Sequence, residues 1–251
     1  MKLIILLLLS INLYSATITV AVSANVTYAI GQLKKEFNKI YPNISVKTTI
    51  ASSGKLTALI ENNAPYGIFL SADMSYPNRL YKSKKAITKP IVYAKGVLSY
   101  ISSRDRDFTK GIDILRDDKV TKIAIANPKI APYGKATIEA LKNAKIYKEI
   151  KDKFVYGNSI SQTLFYALNA TDIGVVAKSS LYSPRLKGLK KGKNYANVNP
   201  KLYTPINQGV VLLEYAKGNP NYRLFYDFIL SQKAKEVFKR YGYIVKWTSP
   251  L

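Results

Sequence analysis

The chain has 251 residues, with 39 Lys and Arg against 15 Asp and Glu, a formal net charge of +24, and neither cysteine nor histidine. That absence excludes a disulfide, a Ser-His-Asp or Cys-His nucleophile, and any His- or Cys-ligated zinc, copper or haem site. The basic balance favours anionic partners, but the lysines are spread along the whole chain and their densest group, 186–193 (LKGLKKGK), is broken by glycines and reads as a solvated loop, so nucleic acid is not an expected partner.

The amino terminus places Lys2 before seven apolar residues, Leu3 to Leu9, then Ser10 and the small pair Ser15-Ala16. A positive start, a short apolar run and a small-residue site describe a secretory signal peptide. The run is well short of the ~20 residues of a spanning helix. The expected signal is 1–15, cut near Ser15/Ala16, and the mature chain is expected to be exported in soluble form. About 235 residues then remain, enough for one large core or two lobes.

Strand-like and helical patterns alternate from there. Residues 17–22 (TITVAV) read as a strand, and Val26, Ile30, Leu33, Phe37 and Ile40 follow with the spacing of one helix face. Residues 44–50 alternate as a second strand before a helix carrying Leu56, Leu59 and Ile60, and 67–72 (GIFLSA) read as a third strand. This βαβαβ order implies parallel strands with right-handed crossovers. A second set begins with strands at 97–101 and 122–126 and a helix carrying Ile138 and Leu141. Strand 154–156, a helix with Leu164 and Leu168, and strand 172–177 complete it. Residues 209–213 form a late strand, and one long helix is predicted from Tyr222 to Tyr241. The order reads as an α/β protein of two lobes, 16–93 plus 207–251 and an inserted 94–206.

Four strand-to-helix turns share a character: Ser23-Ala24-Asn25, Ser52-Ser53-Gly54, Ala131-Pro132-Tyr133-Gly134 and Asn158-Ser159-Ile160. In open α/β sheets ligands bind beyond the carboxyl ends of the strands. Each turn offers free N–H groups with a positive helix end behind them, and no turn tip carries Asp or Glu. Repeated neutral donors suit a small anion. Asn25, Ser53 and Ser159 are also ordinary helix-capping residues, and Ser159 with Gln162 has capping-box spacing.

The segment 51–55 (ASSGK) has two sharper readings. A phosphate-binding P-loop needs glycine at 49 and Ser or Thr at 56, where this chain has Thr49 and Leu56. Ser52 and Lys55 have the Ser-x-x-Lys spacing of penicillin-binding enzymes, but no Lys-Thr-Gly accompanies them.

With TVAVSAN (19–25), ASSGKLTALIENNAPYGIFLSAD (51–73), NPKIAPYGKATIEAL (127–141), IGVVA (173–177) and VFKRYGYIVK (237–246) in view, the chain resembles the molybdate-binding, ModA-type periplasmic binding proteins of ABC importers. The resemblance covers essentially the whole mature chain. It implies a two-lobed class II periplasmic binding fold, each lobe a mostly parallel sheet flanked by helices, closing on molybdate and also tungstate. It implies ligand contacts from Asn25, Ser53, and the backbone N–H groups of Tyr133 and Ile160. Some members add a tyrosine hydroxyl where this chain has Ala177, so a fifth contact is open, with Ala177, Ser52 and Ser159 as further candidates.

The metal would enter only as its oxyanion, with no direct metal ligand and no cofactor. The implied partner is an inner-membrane ABC permease, and the implied protein is a monomer without enzymatic activity. A preference for tungstate or sulfate is the competing binding reading, and a hydrolase using Ser52 and Lys55 is the alternative of another class. The lobe order predicts bending near Tyr93-Ala94 and near Pro205-Ile206-Asn207.

Overall fold

A computed structural model describes residues 16–245; the expected signal segment lies outside the described residues. The first lobe opens with β1 (Ala16–Ser23), a 3-10 turn (Ala24–Val26), α1 (Thr27–Ile40), β2 (Ile44–Ala51), α2 (Ser53–Glu61), β3 (Ile68–Leu70), α3 (Ser75–Lys82) and β4 (Ile91–Gly96). The second lobe holds β5 (Leu98–Ile101), β6 (Ile123–Ala126), α4 (Pro132–Asn143), α5 (Tyr147–Ile150), β7 (Phe154–Gly157), α6 (Ile160–Asn169), β8 (Ile173–Ala177) and β9 (Tyr195–Asn197). The chain then returns through β10 (Ile206–Leu212) to α7 (Pro220–Leu230) and α8 (Gln232–Arg240).

The two sheets share one plan. Their strand orders are β2-β1-β3-β10-β4 and β7-β6-β8-β5-β9. In the first, β1 runs parallel to β2 and β3, while β10 is antiparallel to β3 and β4. In the second, β6 runs parallel to β7 and β8, while β5 is antiparallel to β8 and β9. Four strands in each sheet therefore point one way and a single strand is reversed. The inner strands are covered on both faces, so they read as continuous apolar runs: IAIA and IGVVA are buried throughout.

The first sheet is packed on one face by α1, α7 and α8, with Phe37 meeting Phe225 edge-on at 4.9 Å. Its other face, with Ala21, Phe69 and Val211, meets Leu56 of α2 and Leu80 of α3. The second lobe has its own core, which also takes in Ala24 and Ala72 of the first. The lobes are thus in contact. Hydrogen bonds cross between them: Gly54 N–H donates to Ile130 O at 3.0 Å, and Ser161 Oγ donates to Ala24 O at 3.2 Å.

The structure corrects three expectations and adds a strand. The crossing into the second lobe lies at Val97 rather than between Tyr93 and Ala94, because Ala94 to Gly96 stay in register with β10. The expected helix from Tyr222 to Tyr241 is two helices. Ser231 breaks it in an extended conformation (φ −70°, ψ 162°), and its Oγ accepts from Ala234 N–H to start α8. Ile40 does not complete the buried stripe of α1; it is 56% exposed in the last turn. Strand β9 lies just past the expected loop, paired with β5.

Candidate functional site

At the carboxyl ends of the strands, where the lobes meet, lies a cavity of about 10 Å³, room for roughly the centre of one water molecule. Ser23, Ala24, Asn25, Ser52, Ser53 and Ala72 line it from the first lobe, and Ala131, Pro132, Tyr133 and Ile160 from the second. No charged side chain is among them. Larger clefts exist, such as one of about 360 Å³ beside β4, β10 and Lys235. The small cavity is the candidate because strand-to-helix turns from both lobes converge there.

Four helical segments begin at this point, and the first N–H groups of each have no acceptor within their own helix. In α2 the N-cap is Ser52, so Ser53 is the first helical residue. In α4 the first residue is Pro132, which has no N–H to leave unpaired, and Tyr133 follows. In α6 the first residue is Ile160. The 3-10 turn Ala24–Val26 supplies the fourth start, at Asn25. These N–H groups, with the positive helix ends behind them, give both walls a donor character without any cation.

The side-chain chemistry is concentrated on the first lobe. Ser53 Oγ accepts from Ala72 N–H at 3.0 Å and shares a hydrogen bond of 2.6 Å with Ser23 Oγ. Ser52 Oγ is buried and has no hydrogen-bond partner among the described residues. Asn25 is held from behind: its Nδ2 donates to Gln208 Oε1 at 2.7 Å and to Tyr243 Oη at 2.8 Å. The Asn25 carbonyl accepts from Tyr243 Oη and from Ser179 Oγ, each at 2.8 Å. Both side-chain N–H groups of Asn25 are therefore spent on the scaffold, and the donor it retains for a ligand is its peptide N–H.

Tyr133 joins the lobes by its ring. It is buried, and a Cβ added at Gly96 would come within 2.1 Å of its hydroxyl, so the bare backbone of β4 is what admits the phenol. Burial pushes the Tyr133 and Tyr243 hydroxyls well above the ordinary tyrosine range, and neighbouring tyrosines push Tyr133 further the same way. Both stay neutral donors and acceptors.

Of the residues singled out in the sequence, Asn25, Ser52, Ser53, Tyr133 and Ile160 line the cavity, and Ala177 and Ser159 do not. Ala177 is buried in β8 opposite Leu98, and the Ser159 hydroxyl is taken by Gln162 N–H at 3.2 Å. The pairing of Ser52 with Lys55 is not supported as chemistry: Lys55 is exposed, while the buried Ser52 hydroxyl has no hydrogen-bond partner among the described residues, Lys55 included. Sequence reasoning passed over Ser23, Ala72, Gln208 and Tyr243. Ser23 was legible as a strand-end polar residue; Gln208 and Tyr243 are more than 180 residues from Asn25 and carried no local signal.

The profile of the bacterial extracellular solute-binding protein family matches residues 18–244. The molybdate-binding protein ModA of Azotobacter vinelandii is 33% identical over 238 residues, covering 94% of this chain and 93% of the relative. That of Rhodobacter capsulatus is 31% identical over 228 residues, covering 90% and 87%. The solved structure of the Azotobacter vinelandii periplasmic molybdate-binding protein matches with a TM-score of 0.84 at 27% identity, covering 92% of this chain and all of that one.

Proposed function

The chain belongs to the bacterial extracellular solute-binding proteins, and from that premise we propose that it captures molybdate, and tungstate with it, between its lobes in the periplasm and delivers the ion as a monomer to an ABC permease of the inner membrane. The observation that carries this reading is the neutral cavity at which helix starts from both lobes converge with the hydroxyls of Ser52 and Ser53. A tetrahedral dianion accepts hydrogen bonds at every oxygen and donates none. Each charge-assisted bond contributes about 1.5–3 kcal/mol net, so several neutral donors suffice without a counter-ion. With no buried ion pair to break, reopening for release stays inexpensive.

In this reading the contacts are the peptide N–H groups of Asn25, Tyr133 and Ile160 and the hydroxyl of Ser53, with Ser52 as the further donor in place of a residue at Ala177. The surface lysines draw anions toward the protein, and the cavity selects among them by size. Closure bends the chain where it crosses between sheets, at Val97 and between β9 and β10. The similarity to molybdate-binding proteins over nine-tenths of the chain supports the choice of ion.

Thermal unfolding with molybdate, tungstate, sulfate and phosphate in turn tests it. Ligand at a thousandfold excess over its dissociation constant adds about 4 kcal/mol, a rise of roughly 8–16 °C for a chain of this size. A rise with molybdate and tungstate alone is expected. A rise with sulfate or phosphate instead would replace the ion, and no rise with any would remove the reading.

A further inference from the structure

Ser23 stands before a 3-10 turn, yet its hydroxyl makes no capping bond. It is 1% exposed and hydrogen-bonds with another buried hydroxyl, Ser53 Oγ, at 2.6 Å. Strand register explains the meeting. Ser23 ends β1 directly opposite Ala51 of β2, two residues before Ser53, so the two parallel strand ends deliver both side chains to one point.

A hydroxyl has one hydrogen and two lone pairs. Ala72 N–H fills one lone pair of Ser53 Oγ. The bond between the two serines consumes one of their two hydrogens, so the pair offers a single O–H to the cavity. When Ser23 donates, both lone pairs of Ser53 Oγ are filled and its own hydrogen must leave toward the cavity. Two donations into the same oxygen also polarise that O–H and strengthen the bond it makes to an anion. The donor then sits in the first turn of α2, where the helix dipole favours negative charge.

We propose that Ser23 is a positioning residue of the site, donating to Ser53 Oγ and so committing the Ser53 hydroxyl to the bound oxyanion. The inference rests on the oxyanion reading above. Ser23 acts through Ser53, and that makes it testable by coupling rather than by loss alone.

The experiment is calorimetric titration of sodium molybdate into the wild type, Ser23→Ala, Ser53→Ala and the double variant, with melting of each protein without ligand. Ser53→Ala should weaken binding about ten- to a hundredfold, the range of one charge-assisted bond. Ser23→Ala should weaken it about tenfold in the wild-type background and not measurably further when Ser53 is already alanine. Additive losses, or an undisturbed Ser23→Ala, would overturn the proposal while leaving the oxyanion reading in place. Failure of the wild type to bind molybdate or tungstate would instead remove that reading and this one with it. Should Ser23→Ala not fold, the near-isosteric Ser23→Cys, a weak donor, decides: weaker binding supports the relay, and wild-type binding sinks it.

Discussion

Two serines occupy the same position in two helices and serve opposite ends. Ser52 precedes α2 in the first lobe and Ser159 precedes α6 in the second, both in extended backbone with ψ of 151° and 164°. Ser159 Oγ accepts from Gln162 N–H, and Gln162 Oε1 accepts in return from Asn158 N–H at 2.6 Å. The residue three places after Ser52 is Lys55, which can accept nothing, and the Ser52 hydroxyl remains unpaired on the cavity wall. The same contrast runs through the two lobes. The second lobe offers the ligand backbone N–H groups and spends its hydroxyl on the helix, whereas the first keeps its hydroxyls for the cavity. An N-cap serine is free to bind a ligand when its helix does without it.

The largest test of this contrast uses the glycines of the two first turns. A Cβ on Gly134 would lie 2.0 Å from Ala126 O and 2.7 Å from its carbonyl carbon, backbone of the same lobe. A Cβ on Gly54 would lie 2.7 Å from the Tyr76 hydroxyl, a side-chain tip of its own lobe that can move aside, and 3.0 Å from both Cα and O of Ile130, backbone of the opposite lobe that cannot. Gly134→Ala should therefore damage the second lobe itself, at the upper end of the ~1–3 kcal/mol cost of overpacking, a fall in Tm of roughly 6–12 °C. Gly54→Ala should leave the ligand-free Tm within about 2 °C but weaken molybdate binding by opposing closure. Its scattering profile should stay that of the ligand-free protein at molybdate concentrations that compact the wild type. Equal losses of stability in both variants would break the comparison.

The serines themselves give a smaller effect of opposite kinds. Ser159→Ala should cost about 1 kcal/mol of stability, or 2–4 °C in Tm, with molybdate affinity kept. Ser52→Ala removes an unpaired buried hydroxyl, so its Tm should hold or rise slightly, while affinity falls about tenfold. Calorimetry and a melt on each variant separate the two. A Ser52→Ala protein that binds normally would assign the free hydroxyl no part in the site.

The same contrast marks how far the sequence reaches. The βαβ order, the turns and Ser159 with Gln162 were readable because each signal is local: a period, a cap, a spacing. Ser53 was readable for the same reason. The break at Ser231 was missed because apolar residues stand on both sides of it, Phe228 before and Val237 after, and neither glycine nor proline marks the extended residue between them. Ser23 was visible, but its use depends on the register of β1 against β2, which no single segment carries. Gln208 and Tyr243 were out of reach because they support Asn25 from the far end of the chain. The scaffold behind the site is non-local, whereas the donors that face the cavity stand at helix starts and announce themselves.

The flattest response, that to pH, concerns the seam that the two walls share. Tyr93 and Tyr243 come from the first lobe and Tyr133 from the second; all three are buried, and burial raises each hydroxyl above its ordinary value. The unfolded chain ionises its tyrosines near pH 10. Groups whose folded pKa is raised contribute stability that is complete below that pH and is lost as pH rises above it, when only the unfolded state can release the proton. With no histidine in the chain and no charged side chain lining the cavity, Tm and molybdate affinity should both be level from about pH 6 to 9. Above about pH 10 the Tm should fall, and less steeply in Tyr243→Phe, which has one buried hydroxyl fewer to keep neutral. That variant also loses its bonds to Asn25, so its Tm at pH 7 should already be lower, by about 1–3 kcal/mol of stability. An affinity that changed between pH 6 and 9 would mean that a titrating group reaches the ligand from one of the walls, and the neutrality on which both lobes agree would be wrong.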